Sequence, residues 1–369
     1  MPGTIGVLVC GAGAFGRNHL RVYHALENET AREGAPVRLA AIVEPDPARA
    51  AAAVQEWRVP VFASASECLA ARRRGDVDFQ AASVCTPTST HFEVAQQLLS
   101  ADLDVLVEKP IATSVSEASK LVELGTVPSK ILQIGHLERF NPAVTATEPL
   151  INSPMFFEAH RLSVFTPRSL DVDVVLDLMV HDLDIVLSLV RSPVRSLHAV
   201  GLPILSRKVD IANVRVEFES GCVANFTASR VSTERVRKLR FFQPHQYVSI
   251  DYARQDVLVI DVSGARPNSG APFKPDVGLS GKVGVDPGAP FKPDVGLSGS
   301  SGLRIDKPAV QQGEPLRLEI ESFLDCVRTR SAPRVSGEDG RAALALALDI
   351  NRAIAEHAQR AGLDRFSTG

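Results

Sequence analysis

The segment GAGAFG, at positions 11–16, limits the possible folds of this chain more than any other. It follows TIGVLVC, whose β-branched residues are typical of a buried strand, and precedes RNHLRVYHALENE, whose apolar spacing is that of a helix. A GxGxxG sequence between a strand and a helix is typical of a dinucleotide-binding unit. The alternative is a glycine-rich turn without a ligand.

Each glycine has its own role in such a unit. Gly11 permits the tight turn, Gly13 lets the backbone approach a pyrophosphate, and Gly16 lets the helix pack against the strand. The N-terminus of the helix then faces the phosphates with its partial positive charge. We expect the whole loop to contact the cofactor, including Ala14 and Phe15.

An acidic residue ends the second predicted strand. VRLAAIVEPDP, at 37–47, is a strand that ends at Glu44. A carboxylate at this point accepts hydrogen bonds from ribose hydroxyls and repels a 2′-phosphate, so Glu44 favours NAD over NADP. Asp46 is predicted to cap the following helix.

Strands continue to alternate with helices as far as residue 125, which predicts an α/β fold with a parallel, doubly wound sheet. Ligands of such sheets bind at the carboxyl ends of the strands. The segments CTPTSTH and EKP follow two of these strands. They contain the further candidate cofactor-binding residues Thr86, Pro87, His91, Glu108 and Lys109. The alternative for Glu108 and Lys109 is an ordinary surface turn.

The segment DLMVHDLDI, at 177–185, places Asp177, His181 and Asp184 in an apolar run. At ~100° per residue of a helix, the three side chains fall within about 60° of one another. A helix that is apolar nearly all round is buried, and its polar groups need partners. A metal site, a structural ion-pair network and a proton relay are all compatible with this pattern. The relay is favoured because histidine titrates near neutrality, whereas a metal site lacks further clustered ligands.

Beyond residue 130 the pattern changes to one of mainly consecutive strands. Arg139 and Asn141 are candidate pocket residues, with helix capping as their alternative, and Arg161 and Arg168 precede the DLMVHDLDI helix. A hairpin is predicted at 211–231, with its turn at Ser220–Gly221.

The C-terminal part also contains a repeat and a capped helix. GAPFKPDVGLSG occurs at 270–281 and again at 288–299, which predicts a duplicated surface loop within 265–303. Ser336 and Asp339 fit a capping box that begins a helix near the domain junction.

The 369 residues are enough for two domains, predicted as a dinucleotide-binding domain at 1–130 and a substrate-binding and oligomerisation domain at 131–369. The net charge of −3 gives no electrostatic reason to expect nucleic acid or a membrane surface as a partner. No apolar run approaches the ~20 residues of a membrane span, and no signal peptide is evident. The five dispersed cysteines indicate free thiols, so we expect a cytoplasmic protein.

With these segments placed, the chain resembles the Gfo/Idh/MocA oxidoreductase family. The matching motifs occur in the family's order: GAGAFGRNHL, VEPDP, CTPTSTHFEVAQQLL, VLVEKPIA, QIGHLERFNPA and DLMVHDLDI. The resemblance implies a Rossmann domain followed by an α/β domain with a large, mainly antiparallel sheet. The exposed face of that sheet commonly forms the oligomer interface, which implies a homodimer or homotetramer. It also implies that Lys109, Asp177 and His181 are catalytic, with Asp184 as the later acid of the motif.

The resemblance implies an NAD(P)-dependent dehydrogenase that transfers a hydride between a secondary alcohol of a sugar and nicotinamide, without a metal. Within the family, GHLERFNPAV and VVLDLMVHDLDIV are most similar to the branch of UDP-N-acetylglucosamine 3-dehydrogenases. Arg139, Arg161 and Arg168 are then candidates to hold a diphosphate, which suits arginine's bidentate geometry. The alternatives are a dehydrogenase of a free sugar or inositol, and a non-catalytic NAD-binding regulator.

Overall fold

The computed structural model describes residues 3–30, 37–126, 130–165, 172–262 and 303–362. These residues form two sheets, one of six strands and one of eight. In chain order the strands of the first sheet are β1 (Ile5–Cys10), β2 (Val37–Val43), β3 (Val61–Phe62), β4 (Ala81–Val84), β5 (Asp104–Glu108) and β6 (Leu132–Gly135). The helices between them are α1 (Gly16–Thr30), α2 (Pro47–Trp57), α3 (Ala65–Arg74), α4 (Thr88–Ser100) and α5 (Val115–Gly125).

The first sheet is wholly parallel, with the strand order β3-β2-β1-β4-β5-β6. All six residues of β1 are buried, as expected for a strand that is covered by helices on both faces. The predicted Rossmann architecture is confirmed. The division predicted at residue 130 stays a prediction, and the last strand of this sheet, β6, comes after it.

Between the two sheets the chain forms a 3-10 turn (Leu137–Phe140), α6 (Pro142–Thr147) and a second 3-10 turn (Glu148–Leu150). The strands of the second sheet are β7 (Phe156–Val164), β8 (Val194–Leu202), β9 (Ile211–Phe218), β10 (Val223–Ser232), β11 (Val236–Gln243), β12 (Gln246–Asp251), β13 (Asp256–Asp261) and β14 (Arg304–Asp306). A π-helical turn (Val175–Met179) leads into α7 (Val180–Val190). The last helices are α8 (Pro315–Thr329) and α9 (Gly337–Arg360).

The second sheet has the order β14-β13-β12-β11-β7-β10-β9-β8, and only the β7–β10 pair is parallel among its described strands. Burial alternates along β9 and β10, which is typical of a sheet with one covered face. The predicted, mainly antiparallel sheet is therefore confirmed, as is the hairpin at 211–231, where Gly221 has φ +86°.

The C-terminal helices connect the two halves of the molecule. Leu344 of α9 packs in the core of the first sheet, whereas Ile350 of the same helix packs in the core of the second. Helix α8 returns to the first sheet, where Ile320 and Phe323 pack beside β1. The predicted capping box of α9 is confirmed, because the Ser336 side chain accepts from Asp339 N and Asp339 accepts from Ser336 N.

Both copies of GAPFKPDVGLSG and the candidate Arg168 lie outside the described residues. Over the described part of the chain, no helix combines the length and apolar character that crossing a bilayer requires.

Candidate active site

A cavity of about 520 Å³ lies where the carboxyl ends of the first sheet face α7 and the second sheet. Its walls contain predicted site residues from both halves of the chain. These are Phe15, Thr86, Pro87, His91, Glu108, Lys109, Arg161, Asp177 and His181. Segments that are distant in sequence thus meet in one pocket.

The glycine loop forms one end of this site. Gly11 has φ +99°, and a Cβ at Gly16 would lie 1.9 Å from the carbonyl oxygen of Gly11, so both positions require glycine. A Cβ at Gly13, by contrast, would have no atom within 4 Å. The loop therefore leaves open space at Gly13, beside the exposed Ala14 and Phe15, and a pyrophosphate fits there.

Glu44 lies beside this loop, at the end of β2. Its carboxylate accepts hydrogen bonds from Ala12 N at 2.8 Å, Asp46 N at 3.0 Å and Arg49 Nη2 at 2.9 Å. Burial opposes ionisation, but these hydrogen bonds outweigh it and lower the pKa of Glu44. The site therefore contains an ionised carboxylate next to the glycine loop. The predicted helix cap at Asp46 is confirmed, because its side chain accepts from Arg49 N.

The two loops that follow β4 and β5 are held together by His91. Its ring nitrogens lie 2.8 Å from the carbonyl oxygens of Thr86 and Pro110. The hydroxyl of Thr86 is buried without a hydrogen-bond partner. This arrangement fixes the CTPTSTH loop beside EKP and leaves a donor that a bound cofactor would satisfy.

Lys109 extends from the end of β5 to the π-helical turn on the opposite wall. Its Nζ donates to the carbonyl oxygen of Asp177 at 2.8 Å and lies 3.6 Å from Asp177 Oδ1. Burial lowers the pKa of Lys109, and the charge of Asp177 opposes that shift. Lys109 is thus a cation whose ammonium group is partly desolvated and fixed in position within the pocket.

Glu108 connects Lys109 to a buried network behind the pocket wall. Its Oε1 lies 2.9 Å from His19 Nε2, and its Oε2 accepts from the Lys109 amide. Glu319 of α8 is fully buried nearby, and neither of its carboxylate oxygens has a hydrogen-bond partner. Burial, followed by the negative charges of Glu108 and Asp184, raises the pKa of Glu319 well above its usual value.

Among the described residues, His19, Glu108 and Glu319 form the one group whose geometry could hold a metal ion. Only Glu108 of the three lines the pocket. Sequence reasoning missed His19 and Glu319. His19 lies one turn after Gly16 and so faces the same wall, whereas no local pattern identifies Glu319. The absence of a metal from the reaction stays a prediction.

His181 lies in the first turn of α7 and lines the cavity. Its Nδ1 is buried without a hydrogen-bond partner. Burial and then the charges of Lys109 and Arg161 lower the pKa of His181 well below its usual 6.5. The imidazole is therefore neutral at neutral pH, which is the form that accepts a proton.

The expectation that Asp177, His181 and Asp184 share one face holds for the first two, which both line the cavity, but not for Asp184. The π-helical turn at Val175–Met179 inserts an extra residue, so the regular spacing of an α-helix does not apply at Asp177. Asp177 points to Lys109, and His181 Nδ1 has no partner, so Asp177 does not orient His181 here. Asp184 is buried away from the cavity, and its carboxylate accepts from Arg139 Nε at 2.9 Å.

Arg161 also belongs to a buried ion-pair network. Its guanidinium contacts Asp182 at 2.7 and 2.9 Å and Glu138 at 3.0 Å. These carboxylates outweigh burial and raise the pKa of Arg161. Removing one member of such a network costs about 3–5 kcal/mol of stability, because a buried charge is left unpaired. The charge of Arg161 is therefore compensated by carboxylates of the protein itself.

The other predicted substrate contacts that lie within the described residues also have partners inside the protein. Arg139 contacts Asp184 and, at 3.3 Å, Asp339. Asn141 caps α6 and donates to the carbonyl oxygen of Tyr252. We assign structural roles to Arg139, Asn141 and Asp184 in place of substrate contact.

Two charged residues of the cavity wall were missed by sequence reasoning, namely Glu138 and Arg237. Glu138 lies in the 3-10 turn that follows β6, and no pattern in the sequence distinguishes it. Arg237 shares its strand phase with the apolar Leu239 and Phe241, so the period of two places it on the covered face. That alternation was the available signal.

Comparison with known proteins identifies the chain's relatives. Residues 5–136 match the family model described as "Oxidoreductase family, NAD-binding Rossmann fold", and residues 154–243 match the GFO/IDH/MocA C-terminal domain. UDP-N-acetylglucosamine 3-dehydrogenase of Acidithiobacillus ferrooxidans is 32% identical over 353 residues, which cover 95% of this chain and 98% of that protein. The chain belongs to the Gfo/Idh/MocA family.

Solved structures of family members show the same architecture. A crystal form of the Acidithiobacillus ferrooxidans enzyme matches with a TM-score of 0.77 at 30% identity, over 95% of this chain and 98% of that one. Inositol 2-dehydrogenase of Leifsonia xyli subsp. xyli is 31% identical over 196 residues, 51% of this chain and 54% of that protein. This Gfo/Idh/MocA member is accordingly an oxidoreductase with an NAD-binding Rossmann fold.

Proposed function

We propose that this enzyme oxidises a secondary alcohol of a sugar to a ketone. The observation that carries the proposal is that Lys109 and His181, 72 residues apart in sequence, line one cavity together with the glycine-loop residue Phe15. A neutral histidine and a fixed cation are the groups that alcohol oxidation requires. The presence of both argues against a regulator without catalytic activity.

The chain's residues divide this chemistry between them. His181 removes the hydroxyl proton as general base, because its lowered pKa keeps the imidazole neutral. Lys109 donates a hydrogen bond to the reacting oxygen and stabilises the negative charge that develops there. Asp177 holds the Lys109 ammonium through its carbonyl oxygen and carboxylate. This replaces the role in orienting His181 that was expected from the sequence.

The cofactor that fits the site is NAD. The open side of Gly13, the Thr86 hydroxyl and the Glu44 carboxylate are the groups that would hold its pyrophosphate, nicotinamide portion and adenosine ribose. NAD⁺, when bound, supplies the hydride acceptor. The ionised Glu44 supports NAD over NADP, since it would repel a 2′-phosphate.

Replacing Glu44 with serine tests this preference. Arg49 pairs with Glu44 at 2.9 Å and, more distantly, with Asp46 at 4.0 Å, so the change removes its closer partner and lets it bind a 2′-phosphate. We expect the ratio of kcat/KM for NAD⁺ to that for NADP⁺ to fall by about tenfold or more, since one such charge interaction is worth at least ~1.4 kcal/mol. An unchanged ratio in a folded Glu44→Ser variant would contradict the assignment, and Glu67→Ser on α3 is the control.

We further propose that the substrate is a UDP-linked N-acetylhexosamine, oxidised at C3. The support is the 32% identity over nearly full length to a UDP-N-acetylglucosamine 3-dehydrogenase, compared with about half-length matches to inositol 2-dehydrogenases. The experiment is a screen of UDP-sugars, free sugars and inositols with NAD⁺, followed by NADH absorbance. Turnover restricted to free sugars or inositols would contradict this substrate assignment. NAD binding without any turnover would favour the alternative of a non-catalytic NAD-binding regulator.

We also propose that the protein is a homo-oligomer of the cytoplasm. Phe242 on the outer face of the second sheet is exposed and contacts Phe156 and Tyr247, which favours a homodimer or homotetramer formed through this face. Light scattering of the purified protein would measure its mass. The five cysteines are free thiols, which supports a cytoplasmic location.

A further inference from the structure

Arg237 of β11 lies directly opposite Arg161 of β7 in the register of the second sheet. Opposed residues of neighbouring strands point to the same face, so both arginines are directed toward the cavity. Arg161 is buried at the base of this wall, whereas Arg237 is exposed and lines the cavity together with Lys109 and His181. Of the arginines described on this wall, Arg237 is therefore the one that a ligand in the cavity can reach.

Arg237 differs from the other two cations of the cavity wall in its lack of a direct partner within the described part of the chain. Lys109 is paired with Asp177, and Arg161 is paired with Asp182 and Glu138. The side chain of Arg237 makes no ion pair or hydrogen bond with any described residue. Among the charged residues described on this wall, Arg237 is thus the cation whose guanidinium is left for an anionic ligand.

The positive charges near Arg237 favour the binding of an anion. Partial desolvation in the cavity lowers the pKa of Arg237, and the positive charges of Arg161 and Arg235 act in the same direction. Glu138 and Asp182 oppose this shift, but their oxygens already accept hydrogen bonds from Arg161. An anionic ligand would relieve this repulsion, and a guanidinium binds two oxygens of such a ligand at once.

We propose that Arg237 binds the diphosphate of the nucleotide-sugar substrate. This inference rests on the proposed function and replaces the assignment of Arg139 and Arg161 to that role. An anion held at Arg237 anchors the nucleotide at the second sheet, and the sugar then extends toward Lys109 and His181, which share the cavity. Arg237 is thus a specificity residue for substrates that carry phosphate.

The test compares Arg237→Ala and Arg237→Lys with Arg240→Ala, which removes an arginine from the opposite face of the same strand. We expect Arg237→Ala to raise KM for UDP-N-acetylglucosamine by about ten- to a hundredfold, since hydrogen bonds to charged groups have that weight. The kcat and the Kd of NAD⁺ should change little. Arg237→Lys should lie between wild type and Arg237→Ala, because lysine keeps the charge but not the bidentate geometry.

Calorimetric binding of UDP and of inorganic pyrophosphate to the NAD-saturated protein is the second measurement, and it does not depend on turnover. Weaker binding of both probes to Arg237→Ala, with Arg240→Ala like wild type, supports the inference even if the sugar has been misassigned. Unchanged KM and unchanged UDP binding in a folded Arg237→Ala variant would overturn it while the proposed function stands. A wild-type protein that binds neither probe would overturn it as well, and failure of the substrate screen alone affects only the proposed function.

Discussion

Replacing Lys109 with methionine lowers kcat for sugar oxidation by roughly 10²–10³-fold and leaves the Kd of NAD⁺ close to that of wild type. Methionine is an unbranched side chain only one atom shorter than lysine, but it lacks the charge and the donor that stabilise the reacting oxygen. Steady-state kinetics, with cofactor binding followed by fluorescence, measure both quantities.

Lys130→Met is a matched control for this result. Lys130 also donates to a backbone carbonyl, that of Leu99 at 2.7 Å, and pairs with a carboxylate, Asp102 at 3.0 Å. It does not line the cavity. We expect this control variant to keep its kcat. A Lys109→Met enzyme with near wild-type kcat would show that Lys109 takes no part in the chemistry.

Replacing His181 with alanine is expected to lower kcat by roughly 10²–10⁴-fold, the usual contribution of a general base. The same change alters the pH profile. Because the pKa of His181 is lowered, the wild-type base becomes protonated only well below pH 6.5, and kcat/KM falls as the pH drops through that range. The variant has lost the titrating group, so its residual rate should lack this acid limb.

His198→Ala serves as the control, since His198 lies on β8, outside this cavity. Its rate and its acid limb should match those of wild type. If His181→Ala retained an unchanged acid limb and near wild-type turnover, another group would have to be the base.

Much of the fold could be predicted because it depends on short-range patterns. The glycine spacing at 11–16 and the alternation of strands with helices indicate a parallel sheet, and the ends of its strands must lie along one edge. On this basis Glu44, His91 and Lys109 were predicted to lie along the edge of the sheet where a cofactor would bind. The capping residues Asp46 and Ser336 were predictable for the same reason, since a cap involves only neighbouring residues.

The partners of the buried charges could not be predicted from the sequence. Arg161 pairs with Asp182 and Glu138, which lie 21 and 23 residues away. Whether an arginine faces a ligand or an internal carboxylate depends on contacts between separate elements, and a single sequence does not contain them.

A local irregularity of the helix explains the other difference from the sequence prediction, which concerns Asp177 and its partner. The π-helical turn at Val175–Met179 has no sequence signature in a run that reads as an ordinary α-helix. Asp177 within this turn contacts Lys109. In the proposed mechanism, the relay expected from DLMVHDLDI is replaced by two separate functions, a base at His181 and a cation held by Asp177.

We propose that, in the cavity between the two sheets, a hydride passes from C3 of a UDP-linked N-acetylhexosamine to the nicotinamide of NAD⁺. The most direct measurement uses UDP-N-acetylglucosamine deuterated at C3, with mass spectrometry of the nicotinamide and sugar products. We expect reduced nicotinamide that carries one deuterium, together with a 3-keto sugar that has lost it. Reduced nicotinamide without deuterium, or no reduction at all while the protein binds NAD⁺, would contradict the claim.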